Sequence, residues 1–297
     1  MRYRKPKISI IVNCYNGEEF IRESIESILK QTYSNWEVIF WDNKSQDRSK
    51  EIFKSFRDKR LKYYYSKKHT SLYKARNQAL LKATGEFISF LDTDDLWTKN
   101  RLKKQINHFK EKNIGLVYSN FWLFKENLKK KKLFKNNFNK GIVPSKNILI
   151  NYDVGILTIL IKKNYLLKLK TKFDERTSHI GDMDLIWKLS KICRFKAINE
   201  PLAYYRIHNN NLSSTKRGNE ILELKKWIIK NKKKLNNEEI IFMKNKIAYK
   251  TFLSKKLQDS YIKCLSFVCK SNSFKLTLKS LIILFSPKWL LKNKLWF

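Results

Sequence analysis

The sequence places three aspartates within four residues, a spacing that could form a cation-binding site: Asp92, Asp94 and Asp95. Carboxylates this close repel one another strongly unless a cation lies among them. Hard oxygen ligands of this kind suit Mg²⁺ or Mn²⁺, which take further ligands from water and phosphate. The other interpretation is an aspartate-rich turn in which Asp95 caps the following helix. Arg76 and Asn77, in the helix predicted just before, favour the metal, because arginine suits a phosphate or an acidic neighbour.

The first hundred residues alternate between two periodicities that would position these side chains. Buried-strand patterns predict strands at residues 8–12, 37–41, 61–65 and 87–91. Helical spacing predicts helices at residues 19–31, 49–56 and 72–83. This alternation predicts an α/β fold with a doubly wound, mostly parallel sheet flanked by helices.

Polar clusters follow three of the predicted strands, at residues 13–16, 42–45 and 92–95. Ligands of such sheets bind at the carboxyl ends of the strands. We therefore expect the three clusters to converge on one rim.

The rest of the chain divides into two parts. Up to about residue 215 we predict a helix at 99–112, a strand at 114–119, a solvated Lys/Asn-rich loop at 125–140, a strand at 156–161 and a helix at 185–192. Beyond it the pattern becomes Lys-rich and helical. The predicted domains are residues 1–215 and a helical, basic C-terminal extension at 216–297.

Five segments carry a resemblance to family 2 glycosyltransferases, which are inverting enzymes of the GT-A fold. They are residues 8–16 (ISIIVNCYN), 37–47 (EVIFWDNKSQD), 75–97 (ARNQALLKATGEFISFLDTDDLW), 180–185 (IGDMDL) and 204–213 (YYRIHNNNLS). The last two resemble the acidic acceptor-site motif and the Arg-x-His segment of that family. The resemblance spans about residues 6–215 in the family's order.

The resemblance implies a pocket for the uridine of a nucleotide-sugar donor. It assigns Tyr15 and either Glu18 or Glu19 to this pocket, where an aromatic ring can stack on a base. Asp42 would accept a hydrogen bond from the uracil N3–H group. Arg76 would contact the diphosphate or brace the metal-site aspartates.

The resemblance also implies a metal site that uses Mn²⁺ or Mg²⁺. Asp94 would hold the ion directly, and Asp92 would face the ribose or metal-bound water. His208 would contact the diphosphate or the metal, with Arg206 supplying positive charge nearby; the other interpretation of His208 is a loop histidine. The ion would offset charge on the leaving nucleoside diphosphate.

Inversion requires a base for the acceptor hydroxyl, and Asp182 is the candidate. Its other interpretation is the N-cap of the following helix, a position that favours aspartate. Asp184 is the alternative base, although its place beside Leu185 suggests a helix-start role.

Three departures from the family pattern bear on nucleotide recognition. Asn13 and Cys14 stand where the family commonly has Pro-Thr, and Lys44 stands where it has glycine. A glutamate often precedes the aspartate that here follows Gly181. None of these changes removes a carboxylate that the mechanism needs. They leave open whether the nucleotide is UDP or another one.

The charge balance favours an anionic partner, such as a small anion, a surface or a polymer, although a general Lys-rich compositional bias accounts for part of it. Lys and Arg number 64 against 26 Asp and Glu, a formal net charge of +38. A nucleic-acid-binding protein is the rival class, but no recognised motif is present and the cluster at 92–95 would oppose a polyanion. A catalytically inactive glycosyltransferase-like scaffold is the other rival, and the intact Asp92, Asp94 and Asp182 oppose it. We expect no nucleic-acid partner.

Location follows from the termini and the cysteines. Residues 274–297 mix apolar residues, Lys and Trp, which predicts peripheral association with an anionic membrane; the alternative is packing on the catalytic domain. No apolar run reaches eighteen residues, and the apolar stretch after the basic start is a strand. Four cysteines without a CxxC pair favour a reducing compartment. We expect a cytoplasmic enzyme at the inner face of the cell membrane, with a glycan or lipid-linked acceptor.

Overall fold

A computed structural model describes residues 5–111, 113–125, 128–145, 147–209, 211 and 217–257. The chain forms two compact units, Met1–Asn209 and Asn210–Phe297. This division falls six residues before the boundary expected at residue 215. The apolar, Lys-containing segment 274–297 lies outside the described residues.

Strands dominate the first unit, and helices separate them. The strands are β1 (Ile8–Cys14), β2 (Trp36–Asp42), β3 (Leu61–Tyr65), β4 (Phe87–Phe90), β5 (Leu96–Trp97), β6 (Ile114–Phe124), β7 (Lys131–Leu133), β8 (Gly141–Val143), β9 (Leu160–Lys162) and β10 (Arg194–Arg206). The helices of this unit are α1 (Ile21–Leu29), α2 (Ser49–Ser55), α3 (Leu72–Leu80), α4 (Arg101–Ile106), α5 (Asn147–Ile150), α6 (Lys163–Lys168) and α7 (Gly181–Ser190), with 3₁₀ turns at Asn107–Lys110 and Ile156–Thr158.

All these strands join one sheet in the order β3-β2-β1-β4-β9-β6-β10-β5, with β7 on β6 and β8 on β10. The pairs β1–β2, β1–β4, β2–β3 and β10–β6 are parallel. Strand β9 is antiparallel to both β4 and β6. The predicted α/β fold with a mostly parallel central sheet is confirmed, and its parallel N-terminal half places the ends of β1, β2 and β4 at one edge.

The core lies on both faces of β1 and β2, because successive side chains of a strand point to opposite faces. On one face Ile10 and Val12 share a buried cluster with Ile25 of α1. On the other face Ile11 shares a buried cluster with Ala79 of α3. Each fully buried aliphatic side chain contributes about 1.5–3 kcal/mol. The strand ends that carry the polar clusters therefore sit on a densely packed support.

The predicted loop at 125–140 is partly wrong. Strand β7 pairs with β6 in the register Trp122↔Leu133, so the chain forms a hairpin there. The ring of Phe134 stacks on Phe121 with centroids 4.2 Å apart. Apolar residues among the lysines thus anchor a segment whose overall composition suggested a loop.

Three other predicted elements differ at their bounds. The helix predicted at 99–112 is α4 followed by a 3₁₀ turn, and the strand predicted at 156–161 begins with a 3₁₀ turn before β9. Helix α7 starts at Gly181 rather than residue 185, since acidic residues are favourable in a first turn. Ile180 is its N-cap residue, so the N-cap interpretation of Asp182 is wrong.

The described part of the second unit is helical, as predicted. It contains α8 (Arg217–Asn231), a 3₁₀ turn (Lys232–Lys234) and α9 (Asn237–Leu257). Asn236 and Glu239 form a reciprocal cap at the start of α9, with N–H···O distances of 2.8 and 3.0 Å. Lys250 and Glu220 join α9 to α8 by an ion pair of 2.7 Å. Among the described residues, no helix has the length and apolar character that a membrane span needs.

Candidate active site

The ends of β1, β2 and β4 form the rim on which the site is built. Cys14 lies opposite Asp42 in the parallel register, and the amide of Asn43 donates to the Cys14 carbonyl at 2.8 Å. The amide of Leu91, just after β4, donates to the Ile11 carbonyl at 3.0 Å. The three polar clusters thus start from adjacent strands, as expected from the sequence.

Arg76 of α3 joins two carboxylates that are far apart in the chain. Its Nη2 atom donates to both Asp92 oxygens at 2.8 and 3.0 Å. Its Nη1 atom donates to Asp182 Oδ1 at 2.5 Å. The Arg76 side chain is 1% exposed, whereas those of Asp92 and Asp182 are 33% and 28% exposed. A buried guanidinium thus holds two carboxylates that reach towards solvent.

Burial and charge act against each other in this trio. Burial raises the pKa of Asp182, the Asp92 charge raises it further, and Arg76 opposes both. Burial alone would lower the pKa of Arg76, but the Asp182 and Asp92 carboxylates outweigh it and raise that pKa. The guanidinium therefore remains charged, and Asp182 is more basic than an ordinary aspartate.

Glycine at the start of α7 allows Asp182 to reach Arg76. A Cβ atom on Gly181 would lie 2.6 Å from the ring of Tyr73 in α3. The close approach of α7 to α3 therefore requires glycine at this position. Asp184 differs from Asp182, because it is buried and pairs with Lys188 one turn on, at 2.5 Å.

Asp94 meets His208 at the mouth of the rim. Asp94 Oδ2 and His208 Nε2 are 2.9 Å apart, and the side chains are 25% and 22% exposed. The ring of Phe20 lies against the imidazole with centroids 5.0 Å apart. The sequence predicted these two residues as metal ligands, and the structure brings them together.

The donor set fits a divalent ion that completes its shell from the substrate. Within the described ranges, no group of three or more His, Cys, Asp or Glu side chains could hold an ion alone. Mg²⁺ and similar ions are commonly held by one or two protein ligands together with water and phosphate oxygens. Asp94 and His208 meet that requirement, whereas the oxygens of Asp92 face Arg76.

Arg206 fixes the turn that carries Asp94. Its Nε atom donates to the Asp94 carbonyl at 3.0 Å, and its Nη2 atom donates to Glu23 at 2.7 Å. The guanidinium lies 4.6 Å from the ring centroids of both Phe20 and Phe124. Arg206 therefore holds the turn of the predicted metal ligand Asp94 by binding the main chain of that turn. Glu23 went unrecognised in the sequence because its partner is 183 residues away.

Asp95 is not a helix cap, so that interpretation is wrong. Strand β5 follows it, and α4 begins only at Arg101 with Asn100 as its N-cap residue. Asp95 is buried and accepts a hydrogen bond from the Arg206 amide at 3.0 Å. Burial, and then the charges of Asp94 and Asp92, raise its pKa well above the ordinary range. The turn thus concentrates negative charge that a cation would relieve.

The predicted base pocket lies at the ends of β1, β2 and β3. Asp42 is buried, accepting the Ser45 amide at 2.7 Å and the Tyr63 hydroxyl at 2.6 Å. Tyr15 is half exposed, and its ring lies 4.1 Å from that of His69. His69 went unrecognised, although it follows β3 and the strand-end rule applied to that strand would have pointed to it.

The structure also shows the surroundings of the other residues that the sequence analysis named near this pocket. The Glu18 carboxylate accepts hydrogen bonds from the Arg48 amide at 3.1 Å and from the Arg48 Nε atom at 3.2 Å. Glu19 is exposed. Lys44 has a φ of 70°, a left-handed conformation that glycine adopts without strain. This conformation accounts physically for the glycine that the family commonly has there.

Comparison with known proteins identifies the family of this chain. The model of the family described as "Glycosyl transferase family 2" matches residues 9–178. The chain is 33% identical over 215 residues to the Escherichia coli UDP-Glc:alpha-D-GlcNAc-diphosphoundecaprenol beta-1,3-glucosyltransferase WfgD, covering 70% of this chain and 80% of WfgD. It is 29% identical over 219 residues to the putative teichuronic acid biosynthesis glycosyltransferase TuaG of Bacillus subtilis, covering 71% and 83%.

Solved structures share the fold. TarS 1-349 of S. aureus, in complex with UDP-GlcNAc, superposes with a TM-score of 0.64 at 22% identity, covering 93% of this chain and 79% of that one. The mannosyltransferase PcManGT of Pyrobaculum calidifontis, in complex with GDP-Man and Mn²⁺, superposes with a TM-score of 0.64 at 16% identity. The superposition covers 98% of this chain and 84% of that one. Because the family model matches more than half of the sequence, the chain belongs to glycosyl transferase family 2 and is a glycosyltransferase.

Proposed function

We propose that this glycosyltransferase moves a sugar, with inversion, from a UDP-sugar to a hydroxyl of a lipid-linked glycan, assisted by Mn²⁺ or Mg²⁺. The observation that carries the proposal is the Arg76 fork, which joins Asp92 beside the metal-site turn to Asp182 on α7. This fork places a candidate base next to the carboxylates that follow β4.

The donor is assigned from the pocket and from the relatives. Tyr15 offers an exposed ring for the base, and Asp42 and Glu18 lie at the adjoining loops. The name of WfgD specifies UDP-Glc, and TarS was solved with UDP-GlcNAc. PcManGT was solved with GDP-Man, so the fold alone does not select the nucleotide.

Asp94 and His208 would hold the metal ion, and Arg206 would keep the Asp94 main chain in place. When bound, the ion supplies Lewis-acid stabilisation of the leaving diphosphate. Asp92 supports the site through Arg76 and faces the ribose side of the rim in this proposal. Burial, and after it the charges of Asp94 and Asp92, raise the pKa of Asp95, and a bound cation would offset the second of these two effects.

Asp182 would act as the general base. Arg76 holds its Oδ1 atom, which fixes the carboxylate so that Oδ2 is presented to an acceptor hydroxyl. The hydroxyl oxygen attacks the anomeric carbon opposite the leaving group, and its proton passes to Asp182. A raised pKa brings the carboxylate closer to the operating pH, which improves a general base. Buried Asp184, paired with Lys188, is less suited to this step.

The relatives' names support the proposed acceptor. WfgD acts on a GlcNAc-diphosphoundecaprenol, and TuaG is assigned to teichuronic acid biosynthesis. We propose a lipid-linked acceptor in cell-surface polysaccharide synthesis, with the enzyme held peripherally at the inner face of an anionic membrane and no nucleic-acid partner. Attachment by residues 274–297 remains a prediction, because they lie outside the described residues.

The test is transfer itself. The purified protein is incubated with a panel of nucleotide sugars and a GlcNAc-diphosphate-lipid acceptor, with Mn²⁺ or with a chelator, and the product anomer is assigned by NMR. We expect one UDP-sugar to be used, with metal, and the opposite anomeric configuration in the product. A retained configuration, or full activity in the chelator, would contradict the proposal.

A further inference from the structure

A hairpin beside the site concentrates positive charge. Residues 125–140 hold seven lysines and one glutamate, a net charge of +6 (7 − 1). Strand β7 pairs with the end of β6, and we call the described residues that follow β6, 125 and 128–135, the basic hairpin. Its exposed described residues are Lys125, Leu128, Lys129, Lys130, Lys131 and Lys132.

The basic hairpin rises from the rim of the site. Its first residue follows Phe124, whose ring lies 4.6 Å from the Arg206 guanidinium. The Phe124 carbonyl also accepts a hydrogen bond of 2.8 Å from the amide of Ile207, next to His208. The hairpin therefore adjoins the segment that carries one proposed metal ligand and braces the other.

Packing against β6 and β10 holds the hairpin in place. The Lys131 ammonium lies 4.9 Å from the ring centroid of Trp122 and 5.4 Å from that of Tyr204. The register Phe124↔Lys131 continues the ladder of β6. Lys131 and Lys132 are therefore presented by a paired strand, so less conformational entropy is lost when these two lysines bind a surface.

An apolar side chain lies among these lysines. Leu128 is 40% exposed and borders a cavity of about 430 Å³ that Tyr204 and Trp97 also line. Glu23 and Glu26 line the same cavity, but they pair with Arg206 and Lys30. Their negative charge is thus locally compensated, and the surface beside Leu128 stays cationic.

We propose that the basic hairpin docks on the surface of an anionic bilayer and turns the site towards a lipid-linked acceptor. The inference rests on the proposed acceptor. Lysines around a protruding apolar side chain suit a bilayer interface, where each lysine gains Coulomb energy and the apolar group enters the acyl boundary. RNA fits less well, because Phe134, the aromatic residue of the described hairpin, already stacks one face of its ring on Phe121.

Vesicle binding by the full chain tests the proposal. Phosphatidylcholine vesicles with and without phosphatidylglycerol are sedimented with wild-type protein and with K125Q/K130Q/K131Q. The triple variant should lose about 10²-fold in partitioning onto the anionic vesicles, since each lysine near such a surface gives about fivefold. Leu128→Asp should lose about tenfold, whereas Leu81→Asp, at the 83% exposed C-cap residue of α3, should lose nothing comparable.

A matched triple controls for net charge. K50Q/K54Q/K59Q removes three exposed lysines around α2, one of which, Lys54, lies over the Tyr63 ring much as Lys131 lies over Tyr204. Equal loss in both triples would overturn the proposal, because the effect would then be net charge alone. Unchanged binding by the hairpin triple, or loss of single-stranded RNA binding without loss of vesicle binding, would also overturn it.

Transfer to a water-soluble acceptor separates this inference from the proposed function. Wild type and the hairpin triple should use a short-chain diphosphate acceptor equally well, whereas transfer to an acceptor embedded in anionic vesicles should fall only in the triple. Absence of transfer by wild type to either acceptor would contradict the proposed function. The vesicle partitioning would still decide whether the hairpin is a membrane surface.

Discussion

Arg76 and Asp182 are 106 residues apart in the chain, and their side chains form a hydrogen bond of 2.5 Å within the first unit. The same guanidinium holds Asp92, so the proposed base Asp182 and the first carboxylate after β4 share one buried cation. The predictions below separate the roles of these groups.

Replacing Asp182 by Asn keeps the shape of the side chain and removes the proton acceptor. Turnover should fall by about 10²–10⁴, the usual scale of general-base catalysis. The affinity for UDP should barely change. Steady-state kinetics and calorimetry measure the two effects. Asp184→Asn is the matched variant, and if it alone gives this kinetic loss, the base has been assigned to the wrong carboxylate.

Asp94→Ala should abolish metal-dependent UDP binding while the protein stays folded. Its carboxylate is one of the two proposed protein ligands, and His208→Ala should weaken the same binding. Calorimetric titration of UDP with and without Mn²⁺ measures the difference, and circular dichroism checks the fold. Equal UDP affinity of Asp94→Ala and wild type in the presence of Mn²⁺ would exclude Asp94 as a ligand.

Gly181→Ala should push α7 away from α3, because the new Cβ would lie 2.6 Å from the Tyr73 ring. Overpacking of this kind costs about 1–3 kcal/mol of unfolding free energy. Turnover should fall as Asp182 moves away from Arg76. Denaturant unfolding and kinetics are the measurements. Adding Tyr73→Leu should restore part of the turnover, and no restoration would argue against this clash as the cause.

Glu37 lies near the amino-terminal end of β2, at the opposite end of the strand from the site, and should govern stability in acid. It is buried and accepts hydrogen bonds from Lys62 at 2.6 Å and Ser9 at 2.7 Å. Burial alone would raise the pKa of Glu37, but the bonds from Lys62, Lys7, Ser9 and Thr84 outweigh it and lower that pKa. Its ionised form therefore stabilises the folded state.

A lowered folded-state pKa gives stability that is present above the unfolded value of about 4.3 and lost as pH falls below it. Glu37→Gln should therefore destabilise the protein by about 2 kcal/mol at pH near 7. The difference from wild type should shrink as the pH falls below about 4. Urea unfolding at a series of pH values measures it, and a difference that does not depend on pH would contradict this role.

The sequence predicted most reliably what depends on local pattern. Buried β-branched runs located β1 and β2, and the strand-end rule located Asp42, Asp92 and Asp94 on one rim. Helix α7 was placed too late because its first turn is acidic rather than apolar. The basic hairpin was interpreted as a loop, since its lysines outnumber the few apolar residues that hold it.

Contacts between distant segments were beyond reach. Glu23 and Arg206 form an ion pair of 2.7 Å across 183 residues, and no periodicity in either segment indicates it. The pairing of Asp182 rather than Asp184 with Arg76 likewise depends on how α7 approaches α3. These contacts depend on tertiary packing, which cannot be read from the residue types of a single sequence.

The two partners of Arg76 also bear on the order in which the chain matures. Asp92 lies 16 residues after Arg76, whereas Asp182 lies 106 residues after it. During synthesis from the N-terminus, the guanidinium acquires its first counter-ion as soon as the segment after β4 emerges. The segment that includes β4 and Asp92 can thus supply a counter-ion to this buried cation before the ribosome has made α7, which then adds the second carboxylate, that of the proposed base Asp182.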